Sequence, residues 1–330
     1  MKRTRTTLAL SAIAAALLVP ALGAASSAAA GRPRVPAENC VYSALSEATL
    51  ARFDALTRQH SSCVVVYANT MKTWAEWERP WFLNRQRDAS WAAWATAPGT
   101  RRRLVITMSM FPPGLRHTRW RRAGARGRFD GDARTLARNL VAAGLGDSVI
   151  RLGAEMNGDW NPDNVGHSRA DFHRWVRFWR HEVLAMRSVP GAAFKFDWNV
   201  NAAVRPIPLE AIYPGDDVVD IVGVDAYDQG VAPGPHRWAR LYGRHLGIRD
   251  VLRFARRHGK PLSIPEWGLA PTNVGLGGGD DPSYIRGIAR IVQRDRVAYQ
   301  AYFYKGQFAA QLDRSPASMN AYRRDFGSLR

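Results

Sequence analysis

At 330 residues, 46% of them hydrophobic, the chain carries 47 Lys and Arg against 28 Asp and Glu, a formal charge of +19. Much of the excess is Arg spread along helices, as in Arg174, Arg177 and Arg180, and no nucleic-acid-binding motif accompanies it, which argues against a nucleic-acid partner. No Gly/Ser linker, internal repeat or shift of composition divides the chain, and single α/β barrels reach this size.

Met1 to Ala30 reads as an export signal. Lys2, Arg3 and Arg5 form a positive start, Leu8 to Leu22 is apolar and broken by Pro20, and Ala28, Ala29 and Ala30 offer a small-residue cleavage site. The expectation is a secreted protein with residues 31–330 as one domain, without a membrane anchor and monomeric. The two cysteines, Cys40 and Cys63, each open a short apolar run with a helix between them, capped by Ser46 and carrying Leu50, Phe53 and Leu56 on one face. That is one βαβ unit, and in an oxidising compartment the pair is expected to bridge two neighbouring strands.

The alternation continues. Strands are expected over 104–110, from 149, over 194–199, 220–227, 262–266 and 299–304; helices are expected over 132–143, 169–187, 249–258 and 284–293, with a short one near 208–213. Trp74, Trp77, Trp81, Trp91 and Trp94 crowd the segment after strand two, mostly as core, with room for one or two beside a substrate. Eight strands with interleaved helices indicate a single-domain (β/α)8 TIM barrel.

Two strands end alike. Val149-Ile150-Arg151-Leu152-Gly153-Ala154-Glu155-Met156-Asn157-Gly158-Asp159-Trp160 is an apolar run closing on a carboxylate, an amide, a glycine and a tryptophan; Pro261-Leu262-Ser263-Ile264-Pro265-Glu266-Trp267-Gly268 repeats the design. Read with period two, Arg151, Gly153 and Glu155 share the face turned to the barrel interior. Carboxylates at the C-terminal ends of barrel strands are where such folds carry chemistry. Two of them suit glycoside cleavage, one protonating the leaving oxygen and the other attacking the sugar or activating water. Met156, Trp160 and Trp267 are expected to supply the apolar setting that keeps an acid protonated. Asp225 has the parity to point inward and pair with Arg151. The eight His show no ligand-like spacing, so neither metal nor cofactor is expected.

These motifs, with Val222-Gly223-Val224-Asp225-Ala226-Tyr227, resemble glycoside hydrolase family 26, whose best-known members are β-mannanases in the clan of retaining (β/α)8 glycosidases. The resemblance implies Glu155 as acid/base after strand four, Glu266 as nucleophile after strand seven, Tyr227 as the strand-six tyrosine bonded to the nucleophile, and Trp160 as a sugar-stacking residue. Arg151, Asn157, Trp267 and Tyr304 complete the candidate substrate contacts, Tyr304 standing at the end of strand eight where many clan members use Trp. Ala154 occupies the position where mannanases of the family carry His, so the sugar stays open. Two readings result: a secreted endo-β-glycanase, or a catalytically silent barrel that binds an acidic wall or matrix polysaccharide. The segment Phe111–Arg128, with six Arg, one His and no carboxylate, follows strand three on the same face. It is either a solvated loop or a device that steers an anionic glycan, with Trp120 as a stacking surface.

Overall fold

The computed structural model describes residues 37–43, 46–68, 70–84, 90–114, 119–202, 204–205 and 207–327. The leader expected over residues 1–30 lies outside them, as do residues 115–118 of the basic segment. Eight parallel strands close into a barrel in chain order: β1 (Glu38–Tyr42), β2 (Cys63–Ala68), β3 (Arg103–Met108), β4 (Val149–Leu152), β5 (Lys195–Asn201), β6 (Ile221–Asp228), β7 (Leu262–Leu269) and β8 (Val297–Phe303), with β8 pairing back on β1. The TIM-barrel expectation is met.

Every strand is buried over most of its length because helices cover the outside and side chains fill the lumen. Cys40, Tyr42, Cys63, Val65, Val105, Val149, Ile221, Tyr299 and Ala301 form one apolar cluster, separate from the larger core between strands and helices. Cys40 and Cys63 are directly paired in the β1–β2 register, with Cα atoms 4.4 Å apart, and are joined as a disulfide. The helix between them runs Glu47–Thr57, and the Ser46 side chain accepts from Thr49 N, as its N-cap pattern predicts. The helix Arg169–Arg187 spans the range expected; the structure caps it with Ser168 and buries Trp175, Phe178 and Trp179.

One irregularity decides what β7 shows to the lumen. Gly223 pairs with Ser263 and Ala226 with Trp267, so β7 spends four residue steps against three on β6. The extra residue lies beside Pro265, which has no N–H to give a ladder. Ser263 therefore faces inward, bonding Asp197 across the lumen, and the bulge turns Glu266 inward three residues later.

Candidate active site

Beneath the site lies a buried polar layer built around Arg151 of β4. Its side chain is 0% exposed and forms ion pairs with Asp225 of β6 and with Glu266 of β7, the latter at 2.6 Å. The same guanidinium donates to Asn199 Oδ1 at 2.8 Å and to Thr107 Oγ1 at 3.2 Å. The inward pairing of Asp225 is as expected. Arg151 itself is not open to a substrate: its donors are consumed in holding other side chains, so it positions Glu266 from below.

Glu266 is 8% exposed and held from three directions. Oε1 accepts from Arg151 and from the Tyr67 hydroxyl; Oε2 accepts from the Tyr227 hydroxyl at 2.7 Å. Burial, and after it the Glu266 carboxylate, pushes both phenols well above their usual range, so both act as donors. Tyr227 stands where the family resemblance places it. Tyr67, at the end of β2, was not anticipated, because no local pattern in Val64-Val65-Val66-Tyr67 tells that its hydroxyl reaches a residue 199 positions away.

Glu155 lies three residues beyond the last residue of β4, in a turn and not on the strand. Gly153 makes the turn: its φ is +58°, and an added Cβ would meet Met110 and Trp175 at 3.1 to 3.2 Å. Glu155 also has a left-handed backbone, φ +51°, a conformation that a non-glycine residue rarely adopts without a local constraint. The constraint comes from β5, whose Asn199 O accepts from Glu155 N at 3.1 Å. On the side chain, Oε1 accepts from the Asn201 amide and Oε2 from Trp160 Nε1 at 2.8 Å. Burial first, and then the nearby Glu266, raises the Glu155 carboxyl above its ordinary value. One oxygen each from Glu155, Asp225 and Glu266 lies within 4.8 Å of the others. Arg151 pairs with two of these carboxylates and so offsets part of the cluster's charge.

Trp160 is 56% exposed, and its indole packs over Gly158, where a Cβ would approach within 2.4 Å of the ring. That leaves a flat apolar face beside Glu155. The other aromatic candidates are corrected by strand parity. Trp267, next to Glu266 in sequence, points the opposite way; it is 0% exposed and stacks on Tyr322 and Phe326 in the helical layer. Its ring thus lies in the helical layer and not on the face that carries Glu266. Tyr304 is likewise outside the lumen, 2% exposed, packing on Phe53 and donating to Asp313. Its neighbour Phe303 faces the site instead, 5.9 Å from the Tyr227 ring and 4.6 Å from the Tyr42 ring. Asn157 is buried too, its amide bonding both N and O of Asn201 at 2.8 and 2.9 Å, so it fastens the loop that carries Glu155.

The tryptophan-rich segment is mainly core: Trp77, Trp91 and Trp94 are buried, and Trp81 donates to Tyr67 O at 2.9 Å. Trp120 is buried against Phe111 and Phe178 and offers no stacking surface. Arg121 is spent on Asn164 O at 2.6 Å, whereas Arg122, Arg126 and Arg128 are exposed.

Residues 138–244 match the model of glycosyl hydrolase family 26, a span that carries Arg151, Glu155 and Tyr227 and stops short of Glu266. A β-1,3-xylanase of a Vibrio species is 28% identical over 144 residues, 43% of this chain and 27% of that protein. The chain thus spans about a quarter of the length of the curated relatives it matches. Among solved structures, GH26C from Muricauda sp. MAR_2010_75 superposes with a TM-score of 0.63 at 16% identity, covering 89% of this chain and 85% of that one. The catalytic domain of the Bacillus sp. JAMB-750 GH26 endo-β-1,4-mannanase gives 0.60 at 14% identity, with 90% and 86% covered. At these identities both structures share the fold. Family model, curated relatives and fold agree with the resemblance that the two glutamate motifs carry: this chain is a glycosyl hydrolase family 26-like (β/α)8 barrel.

Proposed function

We propose that the chain is a retaining endo-β-glycanase that cleaves a polysaccharide by double displacement. Glu266 attacks the anomeric carbon while Glu155 gives its proton to the departing glycosidic oxygen. Glu155, now a carboxylate, then takes a proton from water as that water displaces Glu266 from the sugar. The observation that carries this reading is the contrast between two close carboxylates. One oxygen of each comes within 4.8 Å of one of the other, which supports the short carboxyl separation of retaining enzymes, about 5–5.5 Å, over the about 6.5–9.5 Å of inverting ones. Burial raises the Glu155 carboxyl, which favours its protonated form and suits an acid, while an arginine and two phenol hydroxyls converge on Glu266 and fix its aim. The β-1,3-xylanase and the β-1,4-mannanase that the chain resembles are both named for β-linked glycans, which supports that substrate class. A catalytically silent polysaccharide binder gains no support from a carboxylate pair kept whole and braced in this way.

The placement of residues 1–30 as an export signal and of 31–330 as the catalytic domain belongs to the same proposal. A disulfide bond supports an oxidising destination. Among the described residues no helix is long and apolar enough to cross a membrane.

The test is a reducing-sugar screen of the chain and its Glu266→Ala variant on β-mannan, mixed-linkage β-glucan, β-xylan and acidic exopolysaccharides. Release from at least one β-glycan, lost in the variant, is expected. No release from any, or release that survives Glu266→Ala, contradicts the reading.

A further inference from the structure

The loops that bring Glu155 together with Trp160 and Asn201 meet again a few residues further out. Asp159, beside Trp160, has Oδ1 3.3 Å from Nη1 of Arg205, which lies four residues past Asn201. His167 Nδ1 is 2.7 Å from the same nitrogen, and its Nε2 is 3.5 Å from Asp159. Because Arg205 can only donate, Nδ1 of His167 is the acceptor in this contact. Asp159 and His167 are exposed and the Arg205 side chain is mostly covered.

Arg205 is incompletely satisfied. Among the described residues its Nε and Nη2 have no hydrogen-bond partner, a costly state for covered donors. A second guanidinium stands near: Arg121 is pulled below its usual value by burial first, and also by Arg205, against the opposing pull of Asp171 and Asp163. Asp171 is itself engaged by Ser168 and Arg174, and Asp163 by Met110 N, so Asp159 is the carboxylate that directly faces Arg205. It does so through a single nitrogen, whereas a guanidinium can hold a carboxylate with two.

We propose that Arg205, braced by His167, is an anion-binding subsite on the leaving-group side of the cleft, and that its ligand is the carboxylate of a uronic-acid unit in the glycan. This rests on the glycanase reading, which makes Glu155 the acid and so sets which side the leaving group occupies. The choice of a carboxylate comes from Asp159, whose own carboxylate holds the position in the free chain. Access is first to Nη1, the nitrogen that Asp159 and His167 now share. The exposed Trp160, next to Asp159 in the chain and hydrogen-bonded to Glu155, gives the sugar ring a surface to lie on.

The experiment compares kcat/KM on partly C6-oxidised β-mannan and β-glucan with kcat/KM on the neutral parent of each, at fixed salt. The chain is expected to favour at least one oxidised polymer about tenfold. In Arg205→Gln the acid-to-neutral ratio falls to near one; in Asp159→Asn, which removes the internal carboxylate, it rises. Arg290→Gln, the same charge change on an exposed helix position, keeps the ratio. A ratio near one in the native chain, or one that persists in Arg205→Gln, overturns the subsite even where neutral polymer is cleaved. If no polymer is cleaved the glycanase reading fails, and retardation in native gels containing the same polymers reads the subsite alone. Retardation by oxidised polymer that Arg205→Gln loses and Arg290→Gln keeps then supports it, and any other pattern overturns it.

Discussion

The indole N–H of Trp160 donates to Oε2 of Glu155 at 2.8 Å while more than half of the residue stays open to solvent. On the proposed reading, one side chain therefore both tunes the acid and offers a surface to the sugar. Burial raises the Glu155 carboxyl, and the Trp160 hydrogen bond works against that rise by favouring the carboxylate. Trp160→Phe keeps a ring and loses the donor, so the acid should hold its proton to higher pH. The alkaline limb of the kcat/KM profile is expected to move up in pH, and Trp160→Ala should also raise KM. A limb that stays in place in Trp160→Phe would separate Glu155 from the acid role.

Removing each glutamate should have different consequences. Glu155→Ala is expected to lose about 10² to 10⁴ in kcat on polysaccharide, the range for general acid catalysis. It should lose much less on an aryl glycoside whose leaving group needs no proton. Glu266→Ala should be inactive on both. Steady-state kinetics on the two substrate types checks this, and equal losses in the two variants on the aryl glycoside would reverse or remove the assignment.

Arg151 should matter for folding as much as for rate. Arg151→Met leaves Asp225 and Glu266 without their cation in a covered layer. Breaking a buried ion pair by removing one partner costs about 3–5 kcal/mol. A fall of that size in the unfolding free energy, measured in urea, is expected, and an unchanged midpoint would contradict it.

Burial pushes Asp197 up to about 6, while Tyr299 and Ser263 pull in the opposite direction. Its folded-state value is thus above its unfolded one, near 4. The folded state holds the proton more firmly, so the contribution is complete below pH 4 and is lost as pH rises through 6. At 1.36 kcal/mol per unit, the loss is at most ~3 kcal/mol. Asp197→Asn should flatten this part of the stability curve between pH 4 and 7, as read by thermal melts at several pH values. Parallel curves for the two proteins would mean that Asp197 does not titrate in that window.

The Cys40–Cys63 bridge closes a loop with a sequence separation of 23, worth about 3 kcal/mol by loop entropy. The double Cys→Ser variant should melt lower and keep its activity at moderate temperature. Two free thiols on the unfolded, unreduced protein would contradict the bridge.

The barrel and the meeting of the two glutamates were legible because both rest on local periodicity: apolar strand runs, amphipathic helices, and a carboxylate where a run stops. The strand-end aromatics were misread for a physical reason. In a parallel barrel both faces of a strand are buried, so alternation does not tell lumen from helical layer, and Tyr302-Phe303-Tyr304 fits either parity. The structure turns Phe303 inward and Tyr304 outward. For β7 the bulge beside Pro265 resets the parity that simple counting from Ser263 would give. Asn157 and Arg151 were rightly placed near the site but face its supports, since a polar residue in a motif does not disclose which hydrogen bonds already consume it. Tyr67 and Asn201 reach the two glutamates across 199 and 46 positions, distances over which no sequence pattern operates.

The central claim is that Glu266 forms a covalent bond to the sugar and Glu155 serves as acid and then as base. It is tested most directly by recording proton NMR spectra during cleavage of a β-linked oligosaccharide, before mutarotation mixes the anomers. Two displacements at the anomeric carbon predict that the first product is the β anomer. First appearance of the α anomer would show a single displacement and contradict the account.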